Sequence, residues 1–113
     1  MLSRENRLRT SPEFDRVFRR GAMSRHPLAR LHLLADTQGK KFAIVTSKRL
    51  GSAVRRNRAR RLFAEALRPL LASVKCGAKG VFVLRPQAAS ASFAQAQECV
   101  QHLLASCDAL HAN

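Results

Sequence analysis

The chain has 113 residues and a mass of 12.6 kDa, with 21 Lys and Arg against 7 Asp and Glu, a formal net charge of +14 and a sequence pI near 11.7. One domain of this size hides roughly two-thirds of its unfolded surface, and 46% hydrophobic residues exclude a wholly disordered basic tail. No apolar run approaches the ~20 residues a bilayer span requires, and charge begins at Arg4, so neither a membrane segment nor a signal peptide is expected and a cytoplasmic location is. Cys76, Cys99 and Cys107 are odd in number and lack CxxC spacing, which argues against a disulfide framework or a zinc site.

A basic arm occupies residues 1–10. Ser11, Pro12 and Glu13 then suit the cap and first turn of a helix running to Arg20, with Arg19 and Arg20 at its negative end and Gly21 as the stop. Phe14, Val17 and Phe18 fall on one face of it. A short strand around Ser24 and a strand over 28–35 follow, the latter pointing Arg30 and His32 one way and Leu31 and Leu33 the other. Residues 36–39 read as a turn and 41–47 as the next strand, giving a β-meander. Ser52 caps the longest helix, expected over 52–67 and ended or kinked by Pro69. Residues 81–84 are wholly apolar and read as a central strand covered on both faces. Ser92 caps a last helix carrying Phe93, Ala96, Val100, Leu103, Leu104 and Cys107 at helical spacing. The fold class is α+β: a single-domain sandwich in the order α-β-β-β-α-β-α. Strand 41–47, helix 52–67 and strand 80–84 make a βαβ unit, for which the general rule predicts a right-handed crossover.

The charge is concentrated. Residues 1–61 hold 17 Lys and Arg against 4 acids, whereas residues 62–113 hold 4 against 3. Lys48 to Arg61 contains seven basic residues and no acidic one. Like charges at helical neighbour spacing repel, so such a run is costly unless a partner neutralises it. Nucleic acid is the expected partner; an anionic membrane is not, because no basic helix carries an apolar face wide enough to insert. On the long helix, Ala59, Leu62, Phe63, Ala66 and Leu70 form the expected buried arc. Arg56, Asn57, Arg60 and Arg61 share an adjoining arc, and Arg58 and Glu65 take the remainder. Guanidinium forks bind phosphates bidentately and stay charged at any physiological pH.

Ser47-Lys48-Arg49-x-Gly51-x-Ala53-Val54-x-Arg56-Asn57-x-x-Arg60-Arg61 resembles the signature of the bacterial ribonuclease P protein subunit. Asn6-Arg7-Leu8-Arg9, then Glu13-Phe14-x-x-Val17-Phe18-x-x-Gly21, is similar to that family's N-terminal stretch, and the last helix with Leu103-Leu104 to its C-terminal one. The likeness covers residues 4 to about 110.

The resemblance implies the protein subunit of a ribonucleoprotein endoribonuclease that removes the 5′ leader from precursor tRNA, in the bacterial cytosol. Its catalyst would be the RNA, working with Mg²⁺ held mainly by that RNA and the substrate, and its partners the catalytic ribonuclease P RNA and precursor tRNA, with no small-molecule substrate. The resemblance assigns RNA contacts to Arg56, Asn57, Arg60 and Arg61, supported by Lys48, Arg49, Arg55 and Arg58. It assigns the leader cleft to Phe14, Phe18, Arg30 and His32, and further basic contacts to Arg7 and Arg9 of the arm. It also implies a left-handed βαβ crossover, against the general rule. Three positions depart from the family pattern: Ala64 replaces a frequent basic residue, His32 a frequent tyrosine and Ala43 a frequent glycine.

The residues supply no evident protein active site. Glu13 and Asp15 diverge on their helix, and Glu5, Asp36, Glu65, Glu98 and Asp108 are scattered. His26 and His32 flank Pro27, and His102 and His111 are assigned to the last helix, each more simply a surface or packing residue than a catalyst. No catalytic and no metal-ligating residue is therefore assigned to the protein. Phe14 and Phe18 suit a core face from spacing alone, although a ring edge can close a core while its face lines a groove. Two other functions fit the composition: a ribosomal or assembly protein that only scaffolds rRNA, and a stand-alone metal nuclease, which the carboxylate inventory disfavours.

Overall fold

A computed structural model describes residues 2–35 and 39–110 of the chain. The element order is α1 (Ser11–Arg20), β1 (Ala22–Arg25), β2 (Ala29–Ala35), β3 (Lys40–Val45), α2 (Ala53–Leu67), β4 (Ala78–Leu84) and α3 (Phe93–Ser106), with short 3-10 turns between several of them. Of the expected turn at 36–39, only Gly39 lies within the described residues, at φ +69°. His111 lies outside them.

The cap of α1 is one residue earlier than the sequence reading placed it. Thr10 Oγ1 accepts from Glu13 N at 3.4 Å while Glu13 Oε1 accepts from Thr10 N at 3.3 Å, a reciprocal capping box that leaves Ser11 as the first helical residue. Gly21 ends the helix for a reason other than backbone freedom, since its φ is −74°. A Cβ there would lie 2.5 Å from Val17 O and 2.9 Å from Leu33 O, so only a residue without one lets the helix end approach β2.

The strands do not form a meander. The sheet order is β1-β2-β4-β3, with β4 inserted between β2 and β3, antiparallel to the first and parallel to the second. Burial explains the insertion. Val81, Phe82 and Leu84 leave β4 almost nothing to expose, so it takes an inner position, whereas the more polar β1 can stand at an edge. The short strand β1 is present and pairs Met23 with His32 and Arg25 with Arg30.

The hand of the crossover follows from residue chirality. Viewed from the α2 side with β3 running upward, Phe42 points toward the viewer, into the core it shares with Phe63 and Leu67. An L-residue in that pose sends its N–H and C=O to the right, and Phe42 O accepts from Leu8 N at 2.9 Å on the outer edge of β3. The N-terminal segment is therefore on the right and β4 on the left, so β3-α2-β4 is a left-handed crossover, contrary to the rule that most βαβ units obey.

α2 and α3 pack together on one face of the sheet around fully buried Leu31, Phe42, Phe63, Leu67, Phe82, Val100, Leu103 and Leu104. α2 is turned slightly from the expected arc: Ala64 and Leu67 are buried and Leu62 only half so. Pro69 ends the α-helix as expected, but the chain continues as a 3-10 turn, Arg68–Ser73, which carries Leu70 against the core. The other face is covered by α1 in part, through a smaller cluster of Leu8, Val17 and Val81. The remaining uncovered sheet is the cleft described next. The basic arm is not a free tail: Leu2 and Leu8 are buried, and Asn6 Nδ2 donates to Lys40 O at 2.8 Å.

Candidate nucleic-acid interface

Ser52 Oγ accepts from Arg55 N at 3.3 Å and so starts α2 at the residue the sequence indicates. The helix then presents its arginines in three different situations. Arg55, Arg56 and Arg61 have no side-chain hydrogen bond or ion pair among the described residues, and Arg55 and Arg61 are exposed. Arg60 is braced: its Nη1 donates to Thr46 Oγ1 at 2.7 Å and its Nη2 to Asn57 Oδ1. Arg58 stays exposed but reaches across to the segment ahead of α3, donating to Ala89 O at 3.1 Å and Ala91 O at 3.3 Å. Lys48 and Arg49 stand exposed on a 3-10 turn just before α2, with Arg49 N held by Ser47 Oγ at 3.3 Å.

The carboxylates of the described residues do not neutralise this surface. Among the described residues Glu13 approaches Lys41 and Lys79 at 3.9 and 3.8 Å, Asp15 pairs with Arg19, Glu65 with Arg68 and Asp108 with Lys75, so none answers the basic run at 48–61. The Thr10 hydroxyl bonded to Glu13, with Lys41 and Lys79 beyond it, holds that carboxyl below the usual carboxylate range despite partial burial.

The cleft lies on the sheet face beside α1. Strand register aligns Arg25, Arg30, Val83 and Val45 in one row and Met23, His32, Val81 and Ala43 in the next. Phe18, 42% exposed, sets its ring edge-on to His32 with centroids 4.8 Å apart. Phe14 is half-buried against the small cluster, so core and cleft share it. Arg30 Nε donates to His32 Nε2 at 3.1 Å. Burial, and then the Arg30 charge, push the His32 pKa below its ordinary value. Phe14, Phe18, Arg30 and His32 are thus brought to one side of the sheet.

Two features of the interface were not legible beforehand. Arg25 stands directly across from Arg30, a like-charge cross-strand pair that is unfavourable without an anion to bridge it. Its signal was the weak strand around Ser24, whose register a sequence cannot give. Thr46, the brace of Arg60, was read only as a strand residue.

The cleft and α2 are not separate surfaces. A groove of about 580 Å³ between the arm, β3 and α2 is lined by Arg7, Phe14, Val45, Asn57, Arg60 and Arg61 among others. It places a cleft aromatic and three signature residues on one wall system. Arg9 is exposed near the end of the arm.

Elsewhere, the His26 and His102 rings lie 5.7 Å apart, and His26 is pushed below its ordinary pKa by burial and then by His102. The three cysteines are free; Cys99 is buried and its thiol is pushed up to about 12, the state of a packing residue rather than a nucleophile. No group of three or more His, Cys, Asp or Glu among the described residues could hold a metal ion. Among these residues no helix is long and apolar enough to cross a membrane.

Comparison with known proteins places the chain in a family. The family model for ribonuclease P matches residues 2–108. The ribonuclease P protein component of Dehalococcoides mccartyi (strain CBDB1) is 35% identical over 104 residues, covering 91% of this chain and 85% of that one. That of Chloroflexus aggregans is 37% identical over 105 residues, covering 91% and 78%. Among solved structures, the Staphylococcus aureus RNase P protein superposes with a TM-score of 0.84 at 19% identity, covering 94% of this chain and 98% of that one. The Thermotoga maritima RNase P protein gives 0.77 at 22%, covering 87% and 94%. With nearly its whole length matched in sequence and in fold, this chain belongs to the ribonuclease P protein family.

Proposed function

We propose that the chain docks on the catalytic RNA of ribonuclease P through α2 and holds the 5′ leader of precursor tRNA in the cleft beside α1. The observation that carries this reading is the shared groove, in which Phe14 of the cleft and Asn57, Arg60 and Arg61 of the helix face the same space. A leader held there runs directly from the docked RNA, which performs the cleavage.

In this reading Arg55, Arg56 and Arg61, with Lys48 and Arg49, meet phosphates as point charges and forks, while Arg60 is held ready by Thr46 and Asn57. Arg58 ties α2 to the segment ahead of α3 at the side of that surface. Phe18 and His32 offer a platform for one or two unstacked bases, and Arg25 and Arg30 bind the backbone that relieves their mutual repulsion. Arg7 and Arg9 extend the positive field along the arm. The described carboxylates do not cluster, so Mg²⁺ is assigned to the RNA and substrate and no step is routed through a protein-held metal. When bound there, the ion would activate the attacking water and stabilise the leaving oxygen.

The test is the affinity of the reconstituted holoenzyme for leader-bearing and leaderless tRNA. The wild-type chain should favour the precursor and lower the Mg²⁺ needed for cleavage, and His32→Ala should reduce the leader preference more than RNA docking. Equal affinity for both tRNAs would remove the cleft from the account.

A further inference from the structure

Val54 is an apolar member of the signature that no electrostatic role absorbs, and it is 78% exposed at the start of α2. Phe93, on the expected apolar stripe of α3, is instead 43% exposed at that helix's first residue. The two line the same groove, about 700 Å³ in volume, together with Asn57, Arg58, Arg61 and Leu62. Val54, Asn57, Arg58 and Arg61 recur at i, i+3, i+4 and i+7, so they form one stripe of α2 facing the first turn of α3.

The walls of this groove are held in place. Arg58 ties α2 to Ala89 O and Ala91 O just ahead of α3, and a Ser92–Gln95 capping box fixes the turn that carries Phe93. Arg61 has no partner among the described residues, whereas the carboxylate of Glu65 at the far end accepts from Arg68 Nη2 at 2.8 Å. The groove thus combines a rigid aromatic face, two aliphatic side chains and an uncommitted guanidinium. Two exposed apolar residues are too few for a protein interface, and the charge beside them favours an anionic partner.

We infer that this groove seats a single unstacked nucleobase of the docked RNA, packed on Phe93 against Val54 and Leu62, with the adjoining phosphate on Arg61. It shares Asn57 and Arg61 with the groove that joins α2 to the cleft, but Val54, Leu62 and Phe93 line it alone. The inference rests on the proposed docking of α2 on RNA. A stacked base adds affinity without releasing counterions, whereas a phosphate contact does release them. The two kinds of contact therefore separate in a salt titration.

The experiment measures binding of the full chain to the catalytic RNA across a salt series. Phe93→Ala should weaken binding about tenfold with an unchanged salt slope, Phe93→Trp should retain it, and Arg61→Ala should flatten the slope by about one unit. A photo-crosslinking phenylalanine analogue at position 93 should form its adduct with an unpaired nucleotide. Binding by Phe93→Ala within twofold of wild type, while Arg61→Ala still flattens the slope, overturns the base seat and leaves α2 docking standing. A slope indifferent to Arg61 and Arg56 overturns both. An adduct to protein or to a paired nucleotide also overturns the seat, and it decides the matter even if Phe93→Ala fails to fold.

Discussion

Arg30 Nε lies 3.1 Å from His32 Nε2, and because a guanidinium can only donate, the imidazole must accept at that nitrogen. The ring is therefore neutral, with its proton on Nδ1. Burial and then the neighbouring charge favour that form and push the pKa below its ordinary value. A folded pKa below the unfolded one means that the unfolded chain binds more protons in the window between them. Stability should hold above the ordinary histidine value of about 6.5 and decline as pH falls below it. His26 shifts in the same direction and adds to the decline. Thermal unfolding between pH 5 and 7.5 checks this: His32→Gln should flatten the profile, and His26→Gln should flatten it further. A wild-type profile that improves on acidification would contradict the neutral assignment.

Arg56 and Arg58 are two residues apart yet should separate stability from binding. Arg58→Ala removes the donors of the Ala89 and Ala91 carbonyls in a part-buried setting, a loss of about 0.5–1.5 kcal/mol. Arg56→Ala breaks no hydrogen bond or ion pair among the described residues and should leave the urea midpoint nearly unchanged while weakening RNA binding. Reversed outcomes would mean that the two guanidinium groups have exchanged roles.

Arg60→Ala should weaken RNA affinity and reduce the salt slope by about one unit for each phosphate it no longer neutralises. It also frees Asn57 and Thr46, so its effect on affinity should exceed that of Arg55→Ala. Thr46→Val tests the brace alone. It keeps the charge and the slope, and should lower affinity only through a less ordered Arg60.

Two glycines should resist substitution although neither has a positive φ. A Cβ at Gly80 would meet Phe42 Cε1 at 2.8 Å and Leu33 Cδ1 at 3.1 Å, so Gly80→Ala should destabilise by about 1–3 kcal/mol through overpacking. Gly21→Ala should destabilise by more, because the obstructing atoms are backbone oxygens that cannot rotate away. Urea unfolding of both variants measures the difference.

Local chemistry in the sequence was enough to locate the helices. Ser52 and Ser92 cap where their side chains suggest, Pro69 ends α2, and the wholly apolar stretch of β4 announces an inner strand. These signals act over a few residues and survive any tertiary context. The candidate site was legible for a related reason: the density of arginines and scarcity of acids between Lys48 and Arg61 is a property of composition, and the spacing of the signature carries the family resemblance.

What only the tertiary structure decided is how those pieces meet. The meander expectation failed because adjacency in sequence is a weak guide once a long crossover can bring a more apolar strand between two neighbours. Helical phase set Arg58 apart from Arg56 but not what it meets, since its acceptors belong to a turn more than thirty residues away. The facing of Phe14 toward Asn57, Arg60 and Arg61, and of Val54 toward Phe93, likewise arises from packing between distant segments. Sequence alone set which side chains could bind an anion; burial of the apolar strands and helix faces set where those side chains came to stand, because long-range packing is the one interaction that local spacing does not encode.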